Sequence, residues 1–411
     1  MSKIAFSPAD ILIPYDCGLT KWAVVACDQF TSQPDYWARV RAFVGDAPST
    51  LHIIQPEIDL AHAEENIPVI NANMRKYLDE GVLETKVSQG FVLTERVTDA
   101  GMRLGLIAAV DLDAYDFTPG AKALIRATEE TIAERVPPRV RIRRDAPIET
   151  PHVMMLIDDP EYTVVEAIYE RVKDTVPLYD FTLMEEGGTL RGWAVNDETL
   201  KNQLSSALTA LHRNPEDFLY VVGDGNHSLA TAKACWEEIK PKLTEEERAV
   251  HPAKYALTEI VNLHSPALQF EPIHRVLFGV DGEQFVSDMI DALTANGFAP
   301  KAGSDIVFIA KGKKTGVTLT KAGDLLPVAA LQPIIDKYLK VNPGARIDYI
   351  HGDDTVCELS ARENTAGILL TAIPKRALFP AVRAGGVLPR KTFSMGEARE
   401  KRYYMECRKI K

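Results

Sequence analysis

Short apolar runs closed by turn residues alternate along this chain with segments whose apolar residues recur every three or four positions. The first pattern predicts buried strands and the second amphipathic helices. Residues 20–27 read as a buried strand, and a charged helix follows around Tyr36 to Phe43. Leu51 to Leu60 reads as a strand and a turn, and Glu64 to Glu80 as an amphipathic helix. Phe91 to Arg96 and Arg103 to Asp111 read as paired strands about the turn Thr98-Asp99-Ala100-Gly101. A helix is expected over Lys122 to Arg135, a buried strand over Val153 to Ile157 and a helix over Tyr162 to Lys173. Tyr179 to Leu183 and Thr189 to Val195 form an expected strand pair, with a helix over Asp197 to Arg213. Further on, strands are expected at Tyr255 to Leu263 and Ala366 to Ile373, helices at Gly282 to Asn296 and Leu331 to Leu339, and a hairpin of Asp305 to Lys311 with Gly316 to Thr320. This alternation predicts a mixed α/β fold. No repeat or low-complexity linker marks a domain border, and Gly279 to Gly282 is the candidate that separates 1–279 from a smaller region, 280–411.

The most informative stretch runs from Phe218 to Ser228. Phe218 to Val222 is apolar and short, as a buried strand is. Leu229, Ala232, Trp236 and Ile239 then recur at helical spacing until Pro241. Between them lies Gly223-Asp224-Gly225-Asn226-His227-Ser228. The glycines allow a sharp turn, and Asn226 is an expected N-cap. Free N–H groups and the helix dipole favour an anion there. Asp224 is a candidate to hold a metal or take a proton, and His227 stands beside it. The same residues are also ordinary punctuation between a strand and a helix.

Composition narrows the alternatives. The chain has 411 residues, enough for two or three domains, and a net charge of −11. An acidic surface of that size disfavours a nucleic-acid partner. No apolar stretch reaches the length of a membrane span, and the N-terminus lacks the apolar core of a signal peptide. Five scattered cysteines without a Cys-x-x-Cys pair suggest neither a zinc site nor a disulfide framework. A reducing cytoplasm is the expected compartment.

Other stations carry charge. Asp28 ends an apolar run, a plausible acid/base position in an α/β site. His274 and Arg275 follow Glu271-Pro272 and are candidate anion donors, as are Arg390 and Lys391 near a Gly-Gly stretch. The rival reading of that last cluster is a solvated basic loop before a charged helix, because Glu397 to Lys411 is dense in both signs. Arg139, Arg141 and Arg143 would share one face if their segment is a strand. His351, Asp353 and Asp354 are a polar loop or a cation-recruiting group. Walker A, dinucleotide, zincin and nucleophile-elbow patterns do not occur.

Asp224-Gly225-Asn226-His227-Ser228-Leu229-Ala230 resembles the Asp-Gly-His-His-Arg-x-x-Ala box of the ParB/sulfiredoxin-like superfamily, which includes free-serine kinases. Asn226 stands where that box usually has a second His, and Ser228 where it has Arg. Segments Lys21 to Phe30, Ile125 to Glu129, Pro151 to Asp159, Glu271 to Val276 and Leu388 to Phe393 resemble the family called domain of unknown function 1015. The resemblance implies a ParB/sulfiredoxin-like core with additional mixed-sheet elements. It implies a phosphotransferase-like enzyme acting on a small polar metabolite such as serine, with ATP, ADP or pyrophosphate as donor and Mg²⁺ near Asp224. Gly225, Asn226, Ser228, His274, Arg275, Arg390 and Lys391 would then contact phosphate, with Asp224, His227 and Asp28 as catalytic groups and the basic tail returning to the site. The alternative is a non-catalytic nucleotide-binding regulator of the ParB-like kind. A sulfiredoxin-like redox enzyme ranks last, because Cys235 falls on the helix after the box. Neither composition nor motif gives the oligomeric state.

Overall fold

The computed structural model describes residues 4–118, 120–129, 136–214, 217–323, 325–389 and 391–411. It is a mixed α/β protein whose chain divides into two compact units. The first comprises Met1–Ala127, Thr131–Gln269 and Gly396–Lys411, and the second Thr128–Glu130 and Phe270–Met395.

The first unit is organised by an eleven-stranded mixed sheet. Its middle strands are β1 (Leu83–Thr98), β2 (Gly101–Asp111), β3 (Ile125–Ala127), β4 (Met154–Ile157), β5 (Thr189–Val195), β6 (Tyr220–Asp224) and β7 (Tyr255–Asn262). They lie side by side in the order β3-β6-β4-β7-β2-β1-β5. β6 is parallel to β3 and antiparallel to β4; β4 is parallel to β7; β7, β2, β1 and β5 then alternate as antiparallel neighbours. Both faces of the sheet are covered. On β2, Ile107 and Ala109 enter one apolar cluster, while Leu106, Ala108 and Val110 enter the other, the period of two that a strand imposes. Tyr220 and Val222 of β6 share their layer with Leu229, Ala232 and Trp236 of the helix α2 (Asn226–Ile239). The helical spacing of those apolar residues in the sequence is therefore the face that packs on the sheet.

Several expected elements took other forms. Residues 20–27 do not make a strand: a one-turn helix, Leu19–Trp22, leads into a buried segment held by the C-terminal tail. Leu51 to Leu60 contains 3₁₀ turns, Thr50–His52 and Glu57–His62. Ile125–Ala127 is a strand inside the expected helix, and residues 130–135 of that expectation lie outside the described residues. The arginine-rich segment is the helix α1 (Val136–Arg144), which keeps Arg139 and Arg143 on one face, a turn apart, and turns Arg141 away from them; Arg139, Arg143 and Arg141 pair separately with Glu57, Glu149 and Glu64.

The second unit holds a five-stranded antiparallel sheet in the order Lys313–Leu319, Pro300–Ala310, Thr365–Leu370, His274–Phe278, Arg346–Ile350. The expected hairpin and the helices at Gly282–Ala295 and Pro327–Val341 belong to it.

Candidate functional site

The bend between β6 and α2 is built by a glycine. Gly225 has φ 80°, in the left-handed region, and its carbonyl accepts the first helical bond from Leu229 N at 3.0 Å. Gly225, rather than Asn226, is thus the N-cap. A Cβ on Gly225 would lie 3.0 Å from Val153 Cα and 3.4 Å from His152 Cδ2. The absent side chain lets the segment before β4 pass directly beneath the turn. Just upstream, the β6–β4 register shifts between Val222 and Asp224, a bulge that redirects the strand end.

Gly223 to Ser228 are all half-buried, so the bend is neither sealed nor a free loop. Asp224 Oδ1 accepts from Gly225 N at 2.9 Å, and Oδ2 lies 3.3 Å from Lys401 Nζ. That lysine side chain is largely buried. Asp28 faces the same charge. Burial alone would raise its carboxyl, but the charges of His152 and Lys401 and a bond from the Gln29 amide outweigh it and hold the carboxyl below the usual range. Asp28 and Asp224, nearly two hundred positions apart in the chain, therefore answer to one ammonium group.

His152 completes the group. A 2.8 Å hydrogen bond links its Nδ1 to the Tyr404 hydroxyl, which accepts from Cys27 N at 3.1 Å. The imidazole stands edge-on to the Tyr404 ring with centroids 5.5 Å apart. Burial pushes the neighbouring Cys27 thiol up to about 12, far from the thiolate that redox chemistry uses.

The C-terminal tail positions Lys401 and Tyr404. It is not the charged helix that the rival reading of this segment expected. After the 3₁₀ turn Ala398–Glu400 it runs extended, and Arg402, Tyr403, Tyr404, Met405, Glu406, Cys407 and Arg408 are buried. Tyr404 N donates to Val24 O at 2.8 Å and Ala26 N to Arg402 O at 2.9 Å, which satisfies the buried segment after Trp22. Arg402 donates to Pro151 O and to Glu259, both at 2.9 Å, and pairs with Glu406. This anchor fixes the residue before it.

Asp28, Asp224, Gly225, Asn226, His227 and Ser228 all belong to the first unit. His274, Arg275 and Lys391 belong to the second, and Arg390 lies outside the described residues. His274 Nε2 is 2.8 Å from Asp353 Oδ1 and Nδ1 accepts from Leu370 N at 3.1 Å, so both ring nitrogens are engaged within that unit. Burial lowers the His274 pKa, and Asp353 offsets this in part. Arg275 is fully buried, donates to Gln332 Oε1 at 3.2 Å and to Ile273 O, and stacks on Tyr349. Lys391 is exposed. Sequence reasoning did not single out Lys401 or Tyr404, since both sit in a charge-dense tail whose partners are hundreds of residues away. His152 falls in the segment Pro151 to Asp159 that resembles the family, where the sequence alone assigns it no role.

The family described as "Protein of unknown function (DUF1015)" matches residues 13–341. No curated protein matches the chain. Among solved structures, a free serine kinase in complex with AMP has a TM-score of 0.40 and 10% identity, covering 74% of this chain and 92% of that one. SbnI with C-terminal truncation from Staphylococcus aureus has a TM-score of 0.37 and 10% identity, covering 71% and 82%. A conserved hypothetical protein from Pyrococcus furiosus has a TM-score of 0.35 and 11% identity, covering 73% and 90%. Among the described residues no helix is long and apolar enough to cross a membrane.

Proposed function

This chain belongs to the DUF1015 family, and from that premise we propose that it is a phosphotransferase-like enzyme acting on a small polar, hydroxyl-bearing metabolite such as serine, with a nucleotide or pyrophosphate as donor. The observation that carries the reading is Lys401. Its ammonium lies 3.3 Å from Asp224 Oδ2, and its charge also reaches Asp28, beside the first turn of α2. Phosphoryl transfer demands little beyond positioning and charge neutralisation, and these groups supply both. The likeness of the Asp-Gly-Asn-His-Ser box to the ParB/sulfiredoxin-like superfamily supports the same reading.

In this scheme the N–H groups at the start of α2 receive phosphate oxygens. Lys401 neutralises charge on the transferring group. Asp28, kept ionised, orients the acceptor hydroxyl and takes its proton as the oxygen bonds to phosphorus and the bridging P–O bond breaks. His152, held by Tyr404, is a second polar group beside the turn. Ser228 lacks the reach and charge of an arginine, so Lys401 takes over that neutralising role from another part of the chain.

A divalent ion is compatible with this arrangement in one form only. No group of three or more His, Cys, Asp or Glu gathers among the described residues to hold a metal. Mg²⁺, however, often rests on one or two carboxylates and takes its other oxygens from water and phosphate. Asp224 and Asp28 are the residues that would hold it, and it would screen phosphate charge.

The test is incubation of the full chain with serine, Mg²⁺ and ATP, ADP or pyrophosphate, followed by a panel of other hydroxyl metabolites. A phosphorylated product with release of the shortened donor is expected. Tight nucleotide binding with no product across the panel would overturn the enzymatic reading and leave a nucleotide-binding regulator.

A further inference from the structure

The helix that carries the box also lines a cavity. A space of about 170 Å³ lies within the first unit, with Ser228 and Thr231 of α2 in its wall. Most of the wall is apolar, including Ile53, Met74, Ile142, Ile148 and Leu257. Its charged members cancel. Arg139 pairs with Glu57 at 2.8 Å and Arg143 with Glu149 at 2.6 Å, and all four line the cavity. A ligand bearing a full charge would be desolvated here against pairs that already satisfy each other, whereas a neutral one would not meet that cost.

Among the described residues of the wall, one buried side-chain oxygen makes no hydrogen bond. Gln55 is 7% exposed, and its Oε1 makes no hydrogen bond. Its Nε2 donates to Pro56 O at 3.2 Å. That bond fixes the orientation of the amide, since the flipped form would set two oxygens against each other. Buried acceptors in folded proteins nearly always meet a donor. Gln55 borders this cavity and a second one beside Asn66 and Asn73, and an N–H or O–H placed in the first can be the donor its oxygen lacks.

We propose that this cavity binds an uncharged small molecule with an apolar body and a hydroxyl that donates to Gln55 Oε1. The volume matches an engineered cavity of about 150 Å³ that accepts benzene, so the body is the size of about one ring or a short branched chain. The inference goes beyond phosphoryl transfer. His152, Tyr404 and Ser228 also line this cavity, so it adjoins the bend; binding needs neither nucleotide nor metal, and a titration without them reads it apart from phosphoryl transfer.

Benzyl alcohol, toluene and benzyl methyl ether titrated into the full chain, with binding followed by NMR, test it. The ether keeps the oxygen but has no hydrogen to donate, so it should bind the wild-type chain about ten-fold more weakly than the alcohol, the size of one net hydrogen bond. The substitution Gln55→Met keeps the volume and removes the acceptor. It should cut the preference for alcohol over toluene by about ten-fold relative to wild type. Ring protons of the alcohol should show contacts to the methyl groups of Ile142 and Ile148. Equal binding of alcohol and ether to the wild type overturns the proposal, as would arise if a water occupied the acceptor. So does failure of the alcohol to bind, or contacts elsewhere.

Discussion

The bend at Gly223–Ser228 and the tail at Glu397–Lys411 both carry charge, yet the fold uses them in opposite ways. The tail's charges are turned inward and matched. Arg402 is 5% exposed and lies between Glu259 and Glu406, while Arg408 pairs with Glu149. Burial would raise the Glu259 carboxyl, but Arg402 and Arg103 hold it below its usual value. The bend is half-buried, and its Asp224 is paired with one residue the tail delivers. The contrast teaches that a matched buried network can serve as an anchor. By locking Arg402 it fixes the backbone that presents Lys401 to Asp224. One region is stiff so that the other can be placed.

The comparison can be broken first at the anchor. Arg402→Met leaves Glu259 and Glu406 buried without their shared cation. Breaking a buried pair in this way costs about 3–5 kcal/mol, which equilibrium denaturation in urea would read as a large fall in the midpoint. A loss below about 1 kcal/mol would mean that the tail is not the anchor. A smaller effect is expected at the bend. Gly225→Ala places a Cβ 3.0 Å from Val153 Cα and strains a residue at φ 80°. The cost should be about 1–2 kcal/mol, measured by the same denaturation, with ligand affinity reduced as His152 and Val153 shift. An unchanged stability would show that the turn tolerates a side chain.

Much of the framework was legible in the sequence because its signals are local. The paired strands around Asp99 and Ala100 and the helix that begins at Asp197 each carry their own turn or cap chemistry. The bend was legible for the same reason, since glycine spacing and helical periodicity meet there. The N-cap was misassigned by one residue because Gly225, free to adopt positive φ, ends the turn before Asn226 is reached. Arg139 to Arg143 alternates like a strand but folds as a helix, with Glu57, Glu64 and Glu149 as separate partners from elsewhere. The tail misled most. A segment rich in both signs reads as a charged helix unless its counter-charges are known. Glu149 and Glu259 lie more than a hundred residues upstream, beyond the reach of any periodicity. Lys401 was hidden by the same distance.

In the proposed function, Lys401 makes the bend an anion site. Isothermal titration of pyrophosphate into the wild-type chain and into Lys401→Met, with circular dichroism to confirm that both are folded, tests it most directly. The wild type should bind, and the variant should lose about ten- to a hundred-fold in affinity, the worth of one charge-assisted contact to phosphate. Equal affinity in the two folded proteins, or no binding by the wild type, would contradict the account.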